Sequence, residues 1–173
     1  MSHYKIISID DTSLVSLQET KSYLKIDHDD DDNILKDCIV TSIETAENFL
    51  NFSLRVKTVL LNSNLGVISR IGLPILPFAE IVSCEILHKG GNSDVSDCCF
   101  VSQDQQHLNI VKPIQGQVKL IYKAGFVDKR LVPISIKQGI LYHVAEIYDK
   151  QVISSSFMEE VLRFYKNFRR ILI

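Results

Sequence analysis

Residues 27–32 read Asp-His-Asp-Asp-Asp-Asp, and the alternate carboxylates Asp27, Asp29 and Asp31 are spaced as in a loop that wraps a calcium ion. The rest of such a loop is absent. Its sixth position requires glycine and holds Asp32, and its twelfth requires a bidentate glutamate and holds Cys38. The run is therefore expected to open a helix or to make a charged contact between subunits. His143, Glu146 and Asp149 follow one another at helical turns and could share a metal if other helices supplied ligands, but none is evident, so His143 reads as a structural residue. The cysteines Cys38, Cys84, Cys98 and Cys99 show no zinc or redox spacing and are expected to be reduced. There is no Gly-x-Ser-x-Gly elbow, no Walker loop and no dinucleotide fingerprint. No enzyme, cofactor or metal is expected, and a small metal-dependent enzyme or ligand-binding protein using His143, Glu146 and Asp149 is the rival reading.

The 173 residues suffice for one domain with a real core. With 46% apolar and 23% charged residues, general disorder is excluded. A net charge of −2 gives no broad electrostatic grip on nucleic acid, and a helix-turn-helix built from the first two helices would push Asp29 to Asp32 toward phosphate. No basic-then-apolar leader opens the sequence, and no apolar run approaches the roughly 20 residues that cross a bilayer. Synthesis in a cytosol without membrane contact is expected.

The elements that position these residues follow from periodicity. Ser16 and Glu19 stand at capping-box spacing, so a short helix starts near Leu17. Ile34, Leu35, Cys38, Ile39, Ile43, Ala46 and Leu50 then recur at three- and four-residue steps, predicting a long helix over about 32–51. From Arg55 alternation and closely spaced turn residues predict strands through 124. Val82, Cys84, Ile86 and His88 share one face of a strand that stops at Gly90-Gly91-Asn92, and shorter strands follow at 100–102, 108–111 and 118–122. Pro133 opens a third helix with a stripe of Ile136, Ile140, Leu141, Val144, Ile147 and Tyr148, ending near Lys150. Ser156 and Glu159 repeat the capping-box spacing before a fourth helix that carries Met158, Val161, Tyr165, Phe168 and Leu172 nearly to Ile173. Phe157, Leu162, Phe164 and Ile171 fall outside that stripe, and Arg163, Lys166, Arg169 and Arg170 crowd its end, so one face is expected to meet a partner.

The order of elements, with Val15-Ser-Leu, Tyr23-Leu-Lys-Ile-Asp-His-Asp-Asp-Asp-Asp, Ala46-Glu-Asn-Phe-Leu, Leu73-Pro-Ile-Leu-Pro, Val118-Lys-Leu-Ile-Tyr-Lys-Ala-Gly-Phe, Val132-Pro-Ile-Ser-Ile-Lys-Gln-Gly-Ile-Leu and a closing Tyr165-Lys166, resembles the phage head-tail connector (adaptor) family of tailed phages, prophages and gene-transfer particles. The resemblance covers about residues 14–168 and points to the members with a β-rich insertion. It implies an α+β fold, with about four helices as a connector core (14–52 and 132–170) and a β-rich insertion (55–124) between the second and third. Gly139 departs from the family, where a small alanine is usual in the third helix, and since glycine inside a helix costs about 1 kcal/mol relative to alanine, close helix packing is expected there.

In function the resemblance implies a non-catalytic virion protein at the head-tail junction, made in a bacterial host cytoplasm. Copies would form a ring, commonly of twelve, on the particle, or stay monomeric in isolation. Portal protein would lie on one side and tail or neck proteins on the other, with DNA passing through the channel without sequence-specific binding. A tail-completion or neck protein of the same particle is the alternative. The interface expected from the residues pairs Asp29, Asp30, Asp31 and Asp32 with Arg163, Lys166, Arg169 and Arg170 of a neighbour or of the portal, with Phe157, Phe164 and Phe168 as apolar anchors.

Overall fold

Helix α1, Leu17–Leu24, begins where its sequence signature predicts: Ser16 Oγ accepts from the Glu19 N–H at 3.1 Å, and the Ser16 N–H returns to Glu19 Oε2 at 2.8 Å. It stops at Lys25, which turns left-handed with φ 60° and donates its N–H to the Lys21 carbonyl. Helix α2, Asp32–Leu50, ends the same way at Asn51, φ 58°. The computed structural model describes residues 2–10, 14–65, 70–88, 91–111, 116–150 and 155–170, without the side chains of residues 64, 65, 88, 150 and 155–157. The chain divides into two units, Thr12–Leu54 with Asp128–Ile173, and Met1–Asp11 with Arg55–Val127.

In the helical unit, α2 buries Leu35, Cys38, Ile39, Ile43, Ala46 and Leu50 along one stripe. It packs on α3, Ile134–Lys150, which buries Ile136, Ile140, His143 and Val144. Helix α4, Ser155–Tyr165, crosses α3 at Gly139. There the backbones approach so closely that a methyl group on Gly139 would sit 2.6 Å from Tyr165 Cε1 and 2.7 Å from Phe164 Cβ. Tyr165 is fully buried with its ring 6.4 Å from that of Phe49 on α2, so one side chain ties three helices together. At the far end of α2, Glu47 Oε1 accepts from Ser53 Oγ at 3.1 Å and the Leu54 N–H at 2.8 Å, fixing the chain as it leaves.

The other unit is antiparallel throughout. One sheet has the order β1-β2-β8-β4-β5, formed by Ser2–Ile9, Lys57–Leu65, Gly116–Ala124, Phe78–His88 and Gly91–Asp94. The second, β3-β7-β6, is formed by Arg70–Gly72, His107–Ile110 and Cys99–Val101. The central strand β8 buries Val118, Leu120, Tyr122 and Ala124 at every second position, against Val59, Leu61, Cys84, Ile86, Leu108 and Ile110. Its intervening Lys119 and Lys123 pair with Glu85 and Glu80 of β4 at 3.8 and 2.6 Å. The insertion leaves and returns side by side, since Lys57 of β2 stands opposite Ala124 of β8. Gly125, at φ 113°, follows directly, and any side chain there would collide with the Arg55 carbonyl.

The α+β class and the β-rich insertion between α2 and α3 are as expected, and several details differ. Strand β1 has no counterpart in the sequence reading because every one of its residues is exposed, which removes the half-buried alternation that marks a strand. Val82 is 51% exposed while Cys84 and Ile86 are buried, because a register shift between Ile81 and Ser83 rotates it off their face. Helix α4 already includes Ser155, so Ser156 lies inside its first turn instead of capping it. It gives way to a 3-10 turn at Lys166–Phe168 before the expected end. Ile171 to Ile173 lie outside the described residues.

Gly139→Ala is expected to lower stability by about 1–3 kcal/mol through overpacking, outweighing the gain in helix propensity of about 1 kcal/mol. Tyr165→Phe should be neutral or stabilising, because the buried hydroxyl has no hydrogen-bond partner among the described residues. Chemical denaturation of both variants checks this pair, and a stabilised Gly139→Ala would contradict the close crossing.

Candidate functional site

The acidic turn is held from within its own unit. Lys21, in the last turn of α1, is only 7% exposed, and its Nζ reaches Asp29 Oδ1 at 2.5 Å and Asp32 Oδ1 at 2.8 Å. A lysine this buried needs such partners, since an unpaired ammonium away from water is costly. The hydrogen bonds from Lys21 hold the Asp29 carboxyl below its ordinary value, and those to Asp29 and then Asp32 hold the Lys21 amine above its own. Asp31 precedes α2 but makes no side-chain cap. Its Oδ2 instead accepts from the Tyr148 hydroxyl of α3 at 2.5 Å, and this bond raises the Tyr148 pKa. Three of the four aspartates expected at a subunit contact are thus engaged within the chain. Asp30 points outward, 95% exposed, with His28 Nδ1 at 3.9 Å.

The basic end expected as their counterpart is more open. Arg163, Lys166 and Arg169 are exposed, with the Arg169 guanidinium 4.9 Å over the Phe49 ring. Arg170 is half-buried, and its backbone is anchored to the end of α2: its N–H donates to the Leu50 carbonyl at 2.9 Å and its carbonyl accepts from Asn51 Nδ2 at 3.0 Å. Phe164 and Phe168 are half-buried, Phe164 packing on Tyr142 with ring centres 5.8 Å apart. Tyr142, Glu160, Arg163 and Phe164 line a shallow groove of about 430 Å³. The side chain of Phe157 lies outside the described residues. The structure therefore brings the acidic residues together at the start of α2 and the basic and aromatic ones around α4, without joining the two sets in one chain.

A second groove, of about 610 Å³, lies between the first turns of α2 and the last turn of α3. Ile34, Cys38, Ile147 and Tyr148 give it an apolar floor, and Asp31 and Asp149 an acidic rim. The sequence reading assigned it no role. Ile34, which its spacing places in the apolar stripe of α2, is instead 54% exposed, since it sits one residue, about 100° of helix, before buried Leu35. His143, by contrast, is buried in α3, where desolvation lowers its pKa and keeps it neutral, while Asp149 is exposed, so this pair does not converge. Among the described residues no three His, Cys, Asp or Glu side chains cluster as a metal would require, and no helix is long and apolar enough to cross a membrane.

Acidification should weaken the turn. A carboxylate with a lowered folded pKa contributes stability above its ordinary value of 3.8, and that contribution is lost as the pH falls through the folded value. The raised Lys21 pKa acts oppositely, contributing below 10.5 and losing its contribution as the pH rises through the folded value. Thermal melts of Asp29→Asn are therefore expected to show a smaller drop between neutral and acid pH than the unsubstituted chain. Identical drops would show that the Lys21 contact carries no stability.

Comparison with known proteins matches residues 14–70 to the family of phage gp6-like head-tail connector proteins. No curated protein matches the sequence. Three solved structures match nearly end to end at low identity. A chain of the neck of an empty gene transfer agent particle computed with C6 symmetry gives a TM-score of 0.80 at 14% identity, over 99% of this chain and 97% of that one. A chain of the virion of a native gene transfer agent particle gives 0.77 at 16% identity, over 98% and 96%. A chain of the neck of a native particle computed with C12 symmetry gives 0.77 at 15% identity, over 99% and 97%. None of these matches is described as an enzyme. Residues 14–70, from α1 through α2 into the first strands of the insertion, thus match the phage gp6-like head-tail connector family that the residues already resembled, and the fold of the whole chain is similar to that of chains from gene transfer agent necks.

Proposed function

We propose that the chain is a structural protein of the head-tail junction of a phage or phage-like particle, where copies form a ring between portal and tail around the DNA channel. The observation that carries this reading is the coincidence of a connector-family match over α1 and α2 with a neck-protein fold extending over nearly the whole chain. Ring assembly is supported by the C6 and C12 symmetries under which the similar necks were computed, and a ring of twelve is the number we favour. A chain of net charge −2 suits a channel through which DNA slides without adhering.

The acidic turn serves chiefly as an internal staple, since Lys21 and Tyr148 take up Asp29, Asp31 and Asp32. Asp30, 95% exposed, points to solvent, and Asp31, though bound by Tyr148, also lines the groove between α2 and α3. The end of α4, with exposed Arg163, Lys166 and Arg169 beside half-buried Phe164 and Phe168, is the surface we assign to portal or tail protein. Its charges set orientation and association rate, and its aromatic residues supply affinity.

Removing the chain from the system that encodes it should yield DNA-filled heads without tails, and supplying it in trans should restore tailed particles. Tailed particles forming at normal yield in its absence would overturn the assignment.

A further inference from the structure

The helical unit carries two exposed apolar features at opposite ends of α3, and their chemistry is complementary. At the start, Leu131 and Ile134 are 69% and 75% exposed, forming an apolar knob. Lys129, Arg130 and Lys137 surround it. Of the acids beside them, Asp128 binds Arg130 at 2.9 Å and caps the 3-10 turn Lys129–Leu131, and Glu19, which closes the α1 capping box, interacts with Lys129 and Lys137, so three cations against two carboxylates leave the knob basic by one charge. At the end of α3 lies the 610 Å³ groove, floored by Ile34, Cys38 and Ile147 and rimmed by Asp31 and Asp149. Ile34 in its floor is 54% exposed.

A chain cannot fill its own groove with its own knob. Thirteen residues of helix separate Ile134 from Ile147, a rise of about 20 Å, and at about 100° per residue the two point roughly 140° apart around the axis. A contact between two different surfaces on two copies is heterologous, and such contacts propagate head to tail until they close a ring.

We propose that Leu131 and Ile134 of one copy seat in the groove between α2 and α3 of the next, with the basic residues around the knob facing Asp31 and Asp149. The occupant is a second copy of this chain. The knob is basic where the groove is acidic, apolar where its floor is apolar, and held at a fixed distance from it by one rigid helix. The inference rests on the ring reading above and names the surfaces that build the ring.

The test uses the full chain carrying both Ile34→Cys and Leu131→Cys, treated with a short bifunctional maleimide across a concentration series, with sedimentation of the untreated protein in parallel. A ladder of covalent dimers and higher species is expected. Mixing the two single variants should give one cross-linked dimer and no ladder, because each copy then offers only one end. The native cysteines are controlled by the unsubstituted chain and by Ile34→Cys paired with Val82→Cys, an exposed strand position outside the contact. Leu131→Asp with Ile134→Asp, at positions too exposed to disturb folding, should abolish sedimentation of any oligomer while leaving the melting curve in place. Oligomers that sediment but give no ladder would overturn the knob-and-groove contact and leave the ring reading standing. A chain that stays monomeric at every concentration and gives no cross-link above the controls would overturn the proposed self-contact. The neck assignment would then depend on the tail-attachment result alone.

Discussion

The helical unit hangs on a single close approach, the passage of Tyr165 and Phe164 over the bare backbone of Gly139. No side chain intervenes there, so α4 comes near enough for the Tyr165 ring to reach Phe49 on α2 as well as α3, and the three helices behave as one block. Everything the unit presents outward is placed by that block. The Arg163 to Arg169 surface rides on α4, and the two ends of α3 are kept a fixed distance apart. A larger residue at position 139 would push α4 away and loosen all of these positions together.

Around that block, charge is used sparingly and mostly inward. A run of four aspartates looks like a binding surface, yet a buried lysine from the preceding helix and a tyrosine from α3 absorb three of them and lock the α1–α2 turn against the bundle. Only the lysine of these pairs is buried, Asp29 being 89% exposed, so solvent screens the Coulomb gain and their main effect is to fix the geometry of the turn. The β-rich insertion joins through strands that enter and leave side by side at Lys57 and Ala124, with Gly125 allowing the close pass beside Arg55.

Much of this was legible in the sequence. The Ser16–Glu19 box fixed the start of α1 because the cap is a local, reciprocal pair of hydrogen bonds. The helical stripes of α2 and α3 followed from apolar spacing, and Gly139 already suggested close packing. What could not be read depends on contacts distant in sequence. Strand β1 shows no alternation because neither of its faces is buried, so only its pairing with β2 defines it. The internal roles of Asp29, Asp31 and Asp32 required knowing that Lys21 folds inward and that Tyr148 lies across from them, which no spacing rule encodes. The groove under Ile34 is likewise a product of two helix ends meeting, and by spacing alone Ile34 reads as one more residue of the apolar stripe of α2.

The central claim, that this chain is one wedge of a ring in the neck of a particle, is tested most directly by an electron-microscopic reconstruction of that neck without imposed symmetry. The account predicts several copies of the two-unit fold arranged around the DNA channel between portal and tail. A neck whose density lacks this fold, or holds a single copy to one side of the channel, would contradict it.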